Sequence, residues 1–218
     1  MIKNKKVIAI IPVRKNSKGI KNKNLFKIGK YSLLERTILI GKKCKLIDKV
    51  YVSTDCKKMF QISKNYDVNL KKLRAKHLST SKALTIDVIK NVIKEKKIKD
   101  SYILLLQATS PFRTLEMTNS FLKKFKKSKN TNSSVSLTRF FHPHPEKIQI
   151  IEKNFVKSYL NKESMRPRQY LPEVYCLNGL FYIAKSEQLV NKNSFFSSLF
   201  NIAISDSIKL EIKITFEL

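Results

Sequence analysis

Residues 14 to 24 read Arg14-Lys15-Asn16-Ser17-Lys18-Gly19-Ile20-Lys21-Asn22-Lys23-Asn24: one arginine, four lysines, a hydroxyl, amides near the end and a glycine, with no acidic residue. That set suits an anion. A guanidinium grips phosphate or carboxylate with two parallel donors, ammonium groups add charge, and a turn at Gly19 frees backbone amides toward a triphosphate. The stretch is neither a Walker A loop nor a Gly-x-Gly-x-x-Gly dinucleotide loop, because the glycines those motifs require are absent. On charge alone, a solvated turn in a lysine-rich chain stays open beside the anion site. A second polar stretch, Gln107 to Arg113, carries an amide, hydroxyls and an arginine, and a third loop holds Arg74 and His77.

Both of the first two stretches follow runs of the kind that form buried strands. Val7-Ile8-Ala9-Ile10-Ile11 and Tyr102-Ile103-Leu104-Leu105-Leu106 are continuous and apolar, the pattern of strands covered on both faces of a parallel sheet. Loops at the C-terminal ends of such strands are where open α/β sheets bind ligands. Ser32-Leu33-Leu34-Glu35 has capping-box spacing and predicts a helix from about Ser32 to Lys43. Lys49 to Ser53 predicts a strand, and Asp55 is placed to cap a helix carrying Met59, Ile62 and Tyr66. Further helices are expected over Thr85 to Lys96 and Thr114 to Lys127. After Ser133 the rhythm shortens to strands near Ser134 to Thr138, Lys147 to Ile151, Gly179 to Ala184 and Lys209 to Ile214, with a polar stretch from Asn161 to Tyr175.

The chain of 218 residues is 42% hydrophobic, which is globular composition, and at this length roughly 70% of the unfolded surface can be buried in one core. No stretch approaches the about 20 apolar residues that span a bilayer, and the run before Pro12 is shorter than a signal-peptide core. Cys44, Cys56 and Cys176 are odd in number and far apart, as expected of reduced, buried thiols, so the reading is a cytoplasmic protein. His142 and His144 flank Pro143 with no third ligand nearby, so a zinc site is not expected. The formal charge is +29, which raises nucleic acid or membrane as partner. Only seven of the 45 basic residues are arginines, however, and the lysines are scattered along the whole chain, so neither a specific nucleic-acid partner nor a membrane is expected.

Four motifs in order carry a resemblance. Ile10-Ile11-Pro12-Val13-Arg14 through Ser17-Lys18-Gly19 to Lys23-Asn24, then Val52-Ser53-Thr54-Asp55, then Leu106-Gln107-Ala108-Thr109-Ser110-Pro111-Phe112-Arg113, and last Arg168-Gln169-Tyr170-Leu171-Pro172 with Tyr175 and Asn178-Gly179, together resemble the acylneuraminate cytidylyltransferase family over about residues 5 to 218. The resemblance implies an α/β fold, Rossmann-like, with a mostly parallel central sheet. It implies a single domain over 1–218, and a homodimer built through an excursion at about 134–175. The reaction implied joins CTP and a nonulosonic (sialic-type) acid to give the CMP-sugar and pyrophosphate, with Mg²⁺ as cofactor.

Residue by residue, the resemblance gives Arg14, Ser17, Lys18, Asn24 and Arg74 to the nucleotide, and Arg14, Lys23 and Glu211 to catalysis. Gln107, Arg168, Gln169, Asn178 and Tyr182 match contacts to the acid sugar, and Glu211 the metal ligand. Four departures stand out. Lys15 and Asn16 replace two glycines usual in the phosphate loop, Ala108 a proline, and Ser81 an aspartate. At the C-terminus the usual Asp-Ile-Asp reads Glu211-Ile212-Lys213, so one carboxylate remains and a lysine stands where the second would hold Mg²⁺. Weakened metal dependence or slow turnover is the expectation. Alternatives are another acid sugar (legionaminic, pseudaminic or 3-deoxy-manno-octulosonic acid), a catalytically weakened nucleotide-binding homologue and, from a different class, a basic nucleic-acid-binding protein.

Overall fold

The computed structural model describes residues 1–15, 20, 22–140, 142–160, 165–196 and 201–204, with the side chains of Arg168 and of 201–204 left out of the description. The strand expected at Lys209 to Ile214 lies outside them, as do Ser17, Lys18, Gly19, Glu211 and Lys213. The chain divides into two compact units, Met1–Ser136 with Gly179–Ala203, and Leu137–Asn178 continued from Ile204.

In the first unit, β1 (Lys6–Pro12) is buried from Val7 to Ile11. A short hairpin, β2 (Lys27–Ile28) and β3 (Tyr31–Ser32), leads into α1 (Leu33–Lys43). Ser32 caps α1: its Oγ accepts from the Glu35 N–H, and Glu35 Oε2 accepts from the Ser32 N–H at 2.8 Å. The capping box read from the sequence is therefore formed. Next come β4 (Lys49–Ser53), α2 (Lys57–Asn65), α3 (Thr85–Glu95), β5 (Ser101–Leu105) and α4 (Leu115–Lys127). Cys56, not Asp55, occupies the N-cap of α2, and no side chain caps that helix. Asp55 is drawn instead into the loop packing described below.

β1 lies between β4 and β5, parallel to both, with Ala9 opposite Val50 and Leu104. The chain continues through β6 (Ser133–Phe140), β7 (Gln149–Glu152), β8 (Phe155–Ser158), β9 (Val174–Lys185), α5 (Ser186–Lys192) and β10 (Asn201–Ile204). β9 runs antiparallel to β5, and the sheet order is β10-β6-β9-β5-β1-β4, so the parallel strands form one half of a mixed sheet.

The pleat divides the core between two faces. Ile8, Ile10, Ile103 and Leu105 pack with Ile89, Val92 and Ile93 of α3 and Leu189 of α5. Tyr102, next along β5 and on the opposite face, meets Phe125 of α4 edge-on at 4.9 Å, and Phe121 stacks on Phe181 at 4.8 Å. On α1, Gly41 lets the helix approach β4 closely, since a Cβ there would stand 3.1 Å from Val50 Cγ2. Helices on both faces thus leave the C-terminal edge of β4, β1 and β5 to their loops.

In the second unit β7 and β8 pair antiparallel, with Ile151 opposite Val156. Both side chains are exposed, as are Phe155, Met165 and Tyr170. Cys44 and Cys56 are buried free thiols, Cys44 donating to Asn119 Oδ1 at 3.2 Å, whereas Cys176 on β9 is exposed. Among the described residues, no helix is long and apolar enough to cross a membrane.

Candidate active site

At the C-terminal ends of β1 and β5 lies a cavity of about 460 Å³. Arg14, Lys23, Asn24, Arg74 and Gln107 all line it, so five residues predicted from distant parts of the sequence share one space. Its described lining contains three cations and no carboxylate.

The position of each follows from how the strands end. Pro12 closes β1, and the Val13 N–H donates to the Ser53 carbonyl at 3.0 Å, keeping the chain beside β4 for one residue more. Arg14 then turns away, and its Nη1 donates to the Thr80 carbonyl at 3.1 Å. Asn24 is buried, and its Nδ2 donates to the Arg14 carbonyl at 3.3 Å, which ties the far end of the polar loop to its start. Lys23 is half-buried in a short 3-10 turn, Lys23–Leu25. β5 delivers Gln107 in the same way, with the Leu106 N–H bonded to the Ile10 carbonyl at 3.0 Å.

Arg74 is buried, and its guanidinium is turned largely to the protein. Nε donates to Ser79 Oγ at 3.1 Å, Nη1 to the Ser53 carbonyl at 3.2 Å and Nη2 to the Val13 carbonyl at 3.1 Å. Asp55 Oδ1 stands 3.8 Å from Nη2 and accepts the Lys15 N–H at 2.9 Å. Burial lowers the Arg74 pKa, Asp55 opposes that shift and Arg14 adds to it. The side chain expected near the nucleotide therefore clips together the ends of β1 and β4, and its remaining effect on the cavity is a positive field.

Gln107 is half-buried, and its carbonyl accepts from Arg113 Nη2 at 2.8 Å. Its side-chain Oε1 lies beside Gly179, which has φ +71 and where a Cβ would come within 3.3 Å of that oxygen. Tyr182 does not line the cavity: it packs on the core and meets the Phe195 ring at 5.7 Å. In the second unit, Gln169 lines a separate cavity of about 380 Å³ with Arg139, His144 and Glu173. Asn178 Nδ2 donates to Thr138 Oγ1 at 3.0 Å, and Arg168 opens the 3-10 turn Arg168–Tyr170.

Asp55 is the site residue that local reading assigned elsewhere, to a helix cap. The signal available was its place in Val52-Ser53-Thr54-Asp55, directly after a buried strand. Among the described residues no group of three His, Cys, Asp or Glu could hold a metal ion. Asp55 faces Arg74 and accepts from the Lys15 N–H.

The architecture is that of a Rossmann-like nucleotidyltransferase. A solved CMP:2-keto-3-deoxy-manno-octonic acid synthetase complexed with CTP superposes with a TM-score of 0.65 over 92% of this chain and 90% of that one, at 12% identity, a likeness of fold. The family profile for cytidylyltransferases matches residues 8–195, and the chain belongs to that family. It is 29% identical over 216 residues to an N-acylneuraminate cytidylyltransferase of Escherichia coli, covering 98% of this chain and 51% of that protein, so it spans about half of that relative's length. A CMP-N,N'-diacetyllegionaminic acid synthase of Legionella pneumophila is also 29% identical, over 98% of this chain and 94% of that protein.

Proposed function

We propose that the protein transfers CMP from CTP to a nonulosonic acid of the sialic type. The observation that carries the reading is the cavity at the C-terminal edge of β1 and β5, where Arg14, Lys23 and Gln107 meet with no carboxylate in the described lining. A triphosphate bearing roughly three to four negative charges needs that surround, and a carboxylate there would repel it.

In the reaction the anomeric hydroxyl oxygen of the acid attacks the α-phosphorus of CTP. The new P–O bond forms as the bond to pyrophosphate breaks, and the hydroxyl proton leaves to solvent or buffer. Transfer of this kind gains mostly from positioning and from neutralising charge on the phosphate oxygens. Arg14 and Lys23 supply that charge, Asn24 fixes the loop carrying Arg14, and Gln107 offers an amide to the sugar. Ser17 and Lys18 complete the phosphate contacts, and Arg168, Gln169 and Asn178 those to the acid, on the strength of the resemblance.

Mg²⁺ remains the proposed cofactor, supplying charge neutralisation at the phosphates. Glu211 would hold it, since this ion commonly takes only one or two carboxylates beside substrate phosphates. With a lysine two residues on in the sequence, at Lys213, the dependence on Mg²⁺ is expected to be shallow. The proposed assembly is a homodimer in the cytoplasm. The exposed apolar pair Ile151 and Val156 on the β7–β8 hairpin supports self-association through the second unit.

The test is pyrophosphate release with CTP, Mg²⁺ and a panel comprising N-acetylneuraminic, N,N'-diacetyllegionaminic, pseudaminic and 3-deoxy-manno-octulosonic acids, with the other nucleoside triphosphates and a no-acid control alongside. Release with CTP and one acid establishes reaction and substrate together. CTP binding without release from any acid favours the second reading, a nucleotide-binding homologue with weakened chemistry, which Lys213 motivates.

A further inference from the structure

Arg113 is the bulkiest of the fully buried side chains, 2% exposed, and no carboxylate among the described residues pairs with it. Nε and Nη2 donate to the Leu180 carbonyl at 3.2 and 3.0 Å, and Nη2 also donates to the Gln107 carbonyl at 2.8 Å. The guanidinium carbon sits 5.5 Å from the centre of the Phe181 ring. Nη1 has no hydrogen-bond partner among the described residues.

Stability alone is a poor account of this residue. Burial without a counter-charge pulls the guanidinium down to about 10. Together with the unmatched Nη1, that is a cost an apolar side chain would not carry. What the guanidinium does achieve is geometric. It joins the carbonyl of Gln107, at the start of the loop after β5, to that of Leu180 on β9, the residue after Gly179. Those two carbonyls flank the point where Gln107 Oε1 lies against Gly179.

We propose that Arg113 is a positioning residue, buried away from both substrates, that holds the Gln107 side-chain amide against Gly179 and so sets affinity for the acid co-substrate. The inference rests on the role proposed above for Gln107 in meeting that acid. It predicts a split between the two substrates, because the residues given to CTP lie on other loops.

The experiment compares the wild-type protein with Arg113→Met, Arg113→Lys, Gln107→Ala and the double variant Arg113→Met/Gln107→Ala, using CTP and whichever acid of the panel the wild type accepts. Arg113→Met is expected to raise KM for the acid roughly tenfold while KM for CTP stays within about twofold. Arg113→Lys, which keeps charge but lacks the fork that reaches two carbonyls, is expected to fall between. The double variant should be no worse for the acid than Gln107→Ala. A parallel rise in both KM values, or additive effects in the double variant, overturns the inference.

A second measurement is independent of turnover. The Gln107 side-chain amide resonance, identified by its loss in Gln107→Ala, should shift in the Arg113 variants, and an unmoved resonance overturns the inference. If no acid of the panel is accepted, the proposed function fails on its own, and the resonance alone decides the role of Arg113. Should Arg113→Met not fold, Arg113→Lys carries both measurements.

Discussion

The Lys15 backbone N–H donates to Asp55 Oδ1 at 2.9 Å, so the first residues of the cationic loop after β1 are held by a carboxylate at the end of β4. The same oxygen faces Arg74 Nη2, whose guanidinium is bonded to the Val13 and Ser53 carbonyls. Asp55 and Arg74 form a brace at the start of the loop, and the Asp55 carboxylate is turned to holding it.

Asp55→Ala therefore loosens the loop and leaves the buried Arg74 charge without its partner. CTP affinity, measured by calorimetry, is expected to fall about tenfold. Asp55→Asn keeps an oxygen for the Lys15 N–H and is expected to lose less. Equal, unchanged affinity in both variants would dissolve the brace.

Arg14→Ala removes a cation that lines the cavity itself. CTP binding by calorimetry is expected to weaken by about a hundredfold, toward abolition. Unaltered affinity would sink the assignment of this loop to the nucleotide.

Gly179 is needed twice, for its φ of +71 and for the space beside Gln107 Oε1. An alanine there takes on left-handed strain and presses its Cβ on the amide. Gly179→Ala is expected to lower unfolding free energy by about 1–3 kcal/mol in urea titrations. It should also raise KM for the acid more than KM for CTP. A stability loss with both KM values unmoved would separate the turn from the site.

The net charge of +29 makes weak polyanion binding inevitable at low salt. Retention on heparin or duplex DNA is expected to collapse between about 50 and 200 mM salt, as counterion release requires of scattered lysines. Tight, sequence-selective binding that survives the higher salt would restore the nucleic-acid reading.

Much of this arrangement was legible because it is local or periodic. Val7 to Ile11 and Tyr102 to Leu106 are long apolar runs, and a strand buried on both faces is the state that hides all of their side chains. Ser32 and Glu35 write the start of α1 within four residues. Asp55 misleads for the opposite reason: a residue before a helical pattern suggests a cap, but its partners Lys15 and Arg74 arrive from distant loops, and the pull of a buried guanidinium outweighs one capping bond. β9 begins at Val174, earlier than Gly179, because its first residues are mostly exposed and carry no alternation to read. Arg113 shows in the sequence as the end of a polar stretch and of one motif, but nothing local announces that its donors reach Leu180.

The three thiols differ in reach, two sealed in the first unit and one open on β9. The unmodified chain thus carries a single attachment point for a maleimide, Cys176, outside the cationic cavity. A dye placed there needs no engineered cysteine background, and its brightness or rate of attachment as protein concentration rises would register whether a second copy comes to cover that face.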